Sequence, residues 1–179
     1  MLQKCSIQKT LEMFFIKPNK NHYLMEISRN IGLAHTSIKK NLNELIKLGL
    51  IIEIVEKKGK RNFPFYKANV DNKLFKQYKM IYNLFFLLES GLVEFIEEKL
   101  TPKSIVVFGS YRRGEDTEDS DIDLFVECEE EEINLEKFEK RLCRKIQLHF
   151  RKNFGLYPEE LKNNIINGIV LNGFLEAYK

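Results

Sequence analysis

Residues 107–124 begin Val107-Phe108-Gly109-Ser110-Tyr111-Arg112-Arg113-Gly114 and, after a polar stretch, end Ser120-Asp121-Ile122-Asp123-Leu124. The β-branched run from Ser104 to Phe108 predicts a strand that ends on Gly109-Ser110 and opens into a helix. That arrangement suits phosphate. Gly109 lets the backbone approach closely, Ser110 supplies a hydroxyl, and a helix N-terminus offers unpaired N–H groups to an anion. A Gly-Ser pair alone is common, so the second half of the motif matters more. Asp121 to Glu127 predicts another strand, on which Asp121, Asp123 and Phe125 share one face and Ile122, Leu124 and Val126 the other. Two carboxylates are then held roughly 7 Å apart along one strand face, where they can converge on a divalent cation. Such an ion neutralises triphosphate charge and can clamp the attacking and leaving oxygens of an in-line displacement.

Working outward, the chain has 179 residues, 44% hydrophobic and 31% charged, enough for one ordinary domain or two small ones. Its longest apolar runs, such as Leu84 to Leu88, are far short of a membrane span. Residues 1–9 show no apolar core with a cleavage site. The three cysteines, Cys5, Cys128 and Cys143, share no metal-ligand spacing, which suits free thiols in a reducing, cytoplasmic setting. The overall charge of +3 hides an asymmetry: residues 1–70 carry 13 Lys and Arg against 5 Asp and Glu, and residues 71–179 carry 16 against 21. A basic front joined to an acidic back points to two modules with different partners.

In the front module, Ile7, Leu11, Phe14 and Phe15 lie at helical spacing, and Pro18 is a stop signal. A short helix fits Leu24 to Asn30, ending at Gly32. Ala34-His35-Thr36-Ser37 is a capping-type start for a third helix, with Ile38, Leu42, Leu45, Ile46 and Leu48 on one side and Gly49 as its end. Ile51 to Val55 predicts a strand, residues 57–62 a turn, and Phe63 to Lys67 the returning strand. Three helices and a basic-tipped hairpin make a winged helix-turn-helix over 1–70. In such a fold one helix enters the major groove and the wing touches the backbone. The exposed set on the third helix would be His35, Thr36, Ser37, Lys39, Lys40 and Asn43, and on the wing Lys57, Lys58, Lys60 and Arg61. Lys and Arg contribute phosphate affinity, while the others can reach base edges. Double-stranded DNA is the expected partner, and the surface resembles that of helix-turn-helix regulators.

Residues 71–100 predict a linker helix, interrupted near Ser90-Gly91, with a wide apolar face that includes Leu74, Phe75, Tyr78, Ile81, Tyr82, Phe85 and Phe86. Such a face suits either a buried connector or a homodimer contact. Beyond Pro102 the pattern becomes α+β: the two strands already described, a solvated acidic loop at Glu129 to Glu132, a helix near Leu135 to Cys143, and a strand from Lys145 to Arg151. A helix from Tyr157 onward then leads to Ile169-Val170-Leu171. This third region spans 101–179.

Taken together, Gly109-Ser110, ten residues, and Asp121-x-Asp123 closely resemble the minimal nucleotidyltransferases of the DNA polymerase β superfamily. The resemblance covers roughly residues 100–173. It implies a C-terminal polymerase-β-like domain with a small mixed sheet, a Gly109-Ser110 loop that holds the donor triphosphate, and Mg²⁺ on Asp121 and Asp123. Arg113 and Gly114 match the basic-then-glycine step of that loop, and Ser120 the serine before the first aspartate. The resemblance further implies ATP as donor and transfer of AMP to a hydroxyl. Minimal nucleotidyltransferases are often encoded beside a HEPN-type toxin and silence it by adding AMP to a tyrosine, which implies a toxin–antitoxin role.

Active members of the superfamily usually carry a third acid on the next strand. Here that strand, Lys145 to Arg151, places Ile146, Leu148 and Phe150 on its apolar face and offers Lys145, Gln147, His149 and Arg151 on the other. No carboxylate is among them. Three accounts stay open: His149 as the base, an acceptor activated without a dedicated base, or a domain that binds Mg-nucleotide without turning it over. The last would make the protein a DNA-binding transcriptional regulator with a nucleotide-sensing domain. Arg144 and His149 also have the Arg-x4-His spacing of HEPN ribonucleases, but on a strand rather than a helix, and that match is read as chance.

Overall fold

The computed structural model describes residues 5–152, 154 and 158–176. The chain forms two compact units, one ending at Lys79 and the other beginning at Met80.

In the first unit, helices α1 (Ser6–Ile16), α2 (Leu24–Ile31) and α3 (His35–Lys47) precede an antiparallel hairpin of β1 (Ile51–Lys58) and β2 (Arg61–Ala68). Phe14, Ile27, Ile38, Leu42 and Leu45 are buried, and α3 packs on both α1 and α2. Asn41 is buried in the same face, where its amide donates to Thr10 Oγ1 at 2.9 Å. A satisfied polar pair can be buried at small net cost. Gly32, at φ +72°, ends α2, a left-handed turn that glycine adopts without a Cβ clash.

Three sequence expectations change here. The capping-type start of α3 is absent: Ala34 is the N-cap and no side-chain cap bond forms. Leu48 does not join the apolar stripe but is 52% exposed, because the helix ends at Lys47 and Leu50 turns inward in its place. The expected loop over 57–62 shrinks to Gly59-Lys60, since Gly59 at φ +63° permits a two-residue turn and the strands pair out to Lys58 and Arg61. Ile52, Val55 and Phe63 of this ribbon are exposed.

Helix α4 (Lys73–Glu89) crosses the division between the units. Its N-terminus is held by Asn72 Oδ1, which accepts from Leu74 N–H and Phe75 N–H at 2.8 and 3.1 Å. Phe75 packs on Phe15 within the first unit. The expected interruption falls between α4 and α5 (Leu92–Leu100), at Gly91 with φ +76°. Tyr78, Ile81 and Leu88 of α4 are exposed.

The second unit is α+β with a small mixed sheet in the order β5-β4-β3-β6. Its strands are β3 (Ser104–Phe108), β4 (Ile122–Val126), β5 (Ile146–Phe150) and β6 (Ile169–Gly173). β3 is antiparallel to both β4 and β6, while β4 and β5 are parallel. A parallel pair needs a crossover, and α7 (Glu136–Leu142) lies within it. The strands are shorter than the sequence alternation suggests, Asp121 and Lys145 standing just before them. The helix expected from Tyr157 is α8 (Glu159–Ile166), and Tyr157 itself lies outside the described residues.

Both faces of the sheet are covered. Ile105, Val107, Ile122, Leu124 and Val126 pack with Leu92, Ile96, Phe138 and Leu142 on one side. Val106, Phe108 and Phe125 pack with Phe154 and Ile165 on the other. The period-two alternation therefore divides two cores rather than core from solvent.

One buried phenol gives the first unit an alkaline limit. Tyr66 donates to Glu53 Oε1 at 3.0 Å, and its pKa is pushed up to about 12, by burial first and then by the bond to Glu53 and its charge. The folded value is raised from about 10, so this contribution to stability is full below pH 10 and is lost as pH rises through 12. We predict that the melting temperature of the wild type falls more steeply between pH 10 and 12 than that of Tyr66→Phe. Parallel profiles from thermal melts would refute the assignment.

Candidate active site

The antiparallel register of β3 with β4 sets Phe108 opposite Asp123. The next residue, Gly109, begins the one-turn helix α6 (Gly109–Arg113) and has φ +72°. A Cβ built there would stand 2.5 Å from Asp123 Oδ2. The space a side chain would occupy is therefore filled by the Asp123 carboxylate. Sequence order separates the two halves of the motif, and the strand pairing joins them.

Asp123 lies on the same face of β4 as Phe125, at the strand's open end and partly exposed. Asp121 is exposed just ahead of the strand. Ile122 N–H donates to Lys145 C=O at 2.8 Å and ties this point to the head of β5. Ser120 does not present its hydroxyl freely: Thr117 N–H donates to Ser120 Oγ at 2.9 Å, closing a turn next to Asp121. Arg113 is turned toward Glu115, its Nε 2.8 Å from Oε2. Ser110 is half-buried, and its carbonyl accepts from Glu115 N–H at 3.0 Å.

On β5, Gln147 stands in register with Asp123 and is exposed. His149, on the same face, brings Nε2 to 3.3 Å from Asp123 Oδ1, and its ring packs on Phe108. An ionised carboxylate only accepts hydrogen bonds. This contact therefore requires the proton on Nε2, which makes that nitrogen a donor that orients Asp123 and leaves Nδ1 as the position for base chemistry.

Among the described residues, no group of three or more His, Cys, Asp and Glu is placed to hold an ion by protein groups alone. Mg²⁺ in nucleotide sites keeps several waters and takes one or two carboxylates together with substrate phosphates. A carboxylate seated in the side-chain space of Gly109, with a second two residues earlier, fits that sharing. Asp121 and Asp123 are the residues that would hold the ion.

Behind the loop lies a buried polar cluster that the sequence reading missed. Asn83 Nδ2 donates to Tyr111 C=O at 2.9 Å and to Asp116 Oδ1 at 2.7 Å, and Arg144 Nη2 lies 3.4 Å from Asp116 Oδ2. Burial first, and then the charge of Asp116, push the Tyr111 phenol well above its ordinary range, so it stays a neutral donor. These residues lie far apart in the chain, and no local spacing marks them. A cleft of about 690 Å³ opens beside Asp121, lined by the 118–121 loop and by Cys143, Arg144 and Lys145 among others.

In the first unit, His35, Thr36, Ser37, Lys39, Lys40 and Asn43 are all exposed, as are Lys57, Lys60 and Arg61 at the hairpin tip. The side chain of Lys58 lies outside the described residues. Thr36, Lys39, Lys40 and Asn43 help line a groove of about 620 Å³ that reaches Glu53 of β1.

Residues 89–171 match the family described as "Nucleotidyltransferase domain". Two proteins of Methanocaldococcus jannaschii are similar to part of this chain. One, "Putative protein adenylyltransferase MJ1379", is 41% identical across 32% of this chain and 66% of its own length. The other, "Putative protein adenylyltransferase MJ0128", is 52% identical across 25% of this chain and 45% of its own length. The chain thus spans less than two thirds of these curated relatives. No solved structure matches it. Over residues 89–171 this chain is similar to nucleotidyltransferase domains.

The contact at Gly109 can be measured as a coupling. A side chain at a left-handed position costs roughly 1–2 kcal/mol, and Gly109→Ala adds a clash with Asp123. We predict that the destabilisation by Gly109→Ala shrinks in an Asp123→Ala background, with a coupling on the order of 1 kcal/mol in a double-mutant cycle read by denaturant unfolding. Strict additivity would contradict the close approach.

Proposed function

We propose that this protein transfers AMP from ATP, with Mg²⁺, onto a protein hydroxyl, and that its N-terminal unit is a winged helix that binds double-stranded DNA. The observation that carries the first part is the seating of the Asp123 carboxylate against Gly109, with Asp121 two residues ahead. The names of the two relatives favour a protein acceptor. On that reading a tyrosine of a HEPN-type toxin is the acceptor, and the protein acts as its antitoxin.

In this mechanism Gly109 and Ser110 receive the triphosphate, the backbone coming close because position 109 has no side chain. Asp121 and Asp123 hold the divalent ion, which when bound neutralises phosphate charge and stabilises the leaving pyrophosphate. His149 holds Asp123 in orientation through Nε2. The acceptor oxygen forms a bond to the α-phosphorus as the bond to pyrophosphate breaks. The hydroxyl proton passes to water, at a rate cost of roughly 10²–10⁴ relative to a positioned base. Gln147, at the strand position in register with Asp123, supplies no carboxylate for that task.

The same Gln147 favours a second reading, in which the domain binds Mg-nucleotide without turnover and adjusts DNA binding by the basic unit. The exposed face of α3 and the projecting hairpin tip support DNA contact in either reading.

Two measurements separate these readings. With α-labelled ATP and Mg²⁺, label is expected on a co-expressed partner protein and absent with Asp121→Ala/Asp123→Ala. Equal labelling by the double variant would remove the aspartates from the chemistry. DNA binding is expected to weaken with salt, log K falling by about 0.9 per phosphate contacted for each tenfold rise in salt. Lys39→Ala/Lys40→Ala is expected to bind more weakly and with a smaller salt slope. An ATP-dependent shift in DNA affinity without pyrophosphate release would select the second reading, and binding indifferent to both substitutions would remove α3 from the interface.

A further inference from the structure

We propose that Asn83, Asp116 and Arg144 are positioning residues that set the separation between the Gly109-Ser110 loop and Asp121. The proposal rests on the nucleotide-site reading above for its functional consequence, though not for its geometry.

The cluster joins three parts of the chain that the site must hold in register. Asn83 bonds the carbonyl of Tyr111, the residue after Ser110, and the carboxylate of Asp116 with the same amide nitrogen. Tyr111 returns its hydroxyl to Asn83 C=O at 3.3 Å. Asp116 faces Arg144, whose side chain is 5% exposed against 1% for Asp116. Arg144 is followed directly by Lys145, whose carbonyl takes the N–H of Ile122. Between Asp116 and Asp121 the Thr117–Ser120 turn is closed by Thr117 N–H to Ser120 Oγ and by Ser120 N–H to Thr117 C=O at 3.2 Å. Asp121 therefore sits on a short span with both ends fixed, and the amide of Asn83 ties that span to the phosphate loop.

Its energetics favour a geometric role over a purely stabilising one. An ion pair taken out of water gains little over well-packed apolar groups of the same shape. What such a cluster adds is direction, since each hydrogen bond has a required distance and angle. Side chains that orient ligating carboxylates typically alter metal affinity 10–100-fold when removed. Asn83 also lies ahead of the matched segment 89–171, so it reaches the site only through the fold.

The test compares the full-length wild type with Asp116→Asn, Asn83→Ala and the neutral pair Asp116→Asn/Arg144→Met. Melting temperature, amide hydrogen exchange across residues 114–122 and the Mg²⁺ concentration for half-maximal ATP binding are measured for each. Both single variants should speed exchange in the loop and raise the half-saturating Mg²⁺ roughly 10-fold or more, while β3 and β4 amides stay protected. The neutral pair should recover melting temperature without recovering loop protection or Mg²⁺ response. Recovery of all three by the neutral pair would show a purely structural role and overturn the proposal. Unchanged loop exchange in the folded single variants would also overturn it. If the wild type binds no Mg-ATP while the exchange pattern holds, the nucleotide reading fails and the positioning role stands.

Discussion

Phe108 and Asp123 face each other across an antiparallel pair, and the residue after Phe108 has no side chain. From that register follows the closeness of the Asp123 carboxylate to the backbone of Gly109, within a distance no Cβ could tolerate. The approach needs three conditions together: a glycine able to hold φ +72°, a strand end where a carboxylate can stay partly hydrated, and a sheet register that does not slip. Slippage by one residue would turn Asp123 into the opposite core and Leu124 toward the loop. Burial of both sheet faces makes that exchange prohibitive, because Ile122 and Leu124 are fully buried on one side and Phe125 on the other.

The site is built where apolar packing ends. β4 has aromatic and aliphatic neighbours on both faces along most of its length, and within the strand only Asp123 reaches solvent. Carboxylates can be accommodated there at modest desolvation cost, whereas deeper in the strand they would have to be neutralised or paired. His149 supplies one such partner through Nε2, and Phe108 sets the plane of its ring. Chemistry is thus confined to the strand ends and loops, while the strands themselves provide rigidity.

Behind that surface lies the buried polar cluster of Asn83, Tyr111, Asp116 and Arg144. Its members come from α4, α6, the following loop and the turn between α7 and β5. Each bond is directional, so the cluster constrains relative placement in a way that a greasy contact would not. The basic first unit follows a different logic. At its hairpin tip Lys57, Lys60 and Arg61 are exposed, and exposed charge of this kind acts by summed potential rather than by fixed geometry.

Much of this was legible in the amino-acid order. The alternation of Ile122, Leu124 and Val126 against Asp121, Asp123 and Phe125 gave both the strand and the side its carboxylates take, because strand periodicity is local. Gly109 and Gly91 marked their turns for the same reason, a left-handed backbone that other residues resist. The lack of an acid on the strand after Lys145 was equally visible. Strand register was not, and it alone reveals that Gln147 stands beside Asp123 and that His149 donates to it. Nor could local pattern show that Ser120 is taken up by a turn, that Leu48 faces water, or that Asn83 and Arg144 meet at Asp116. Those facts depend on hydrogen bonds and packing between residues up to 33 positions apart. The chain's own order determined the motif and its chemistry. Tertiary structure decided its spacing, because only the closing of the sheet and the buried cluster brings these distant groups within bonding distance.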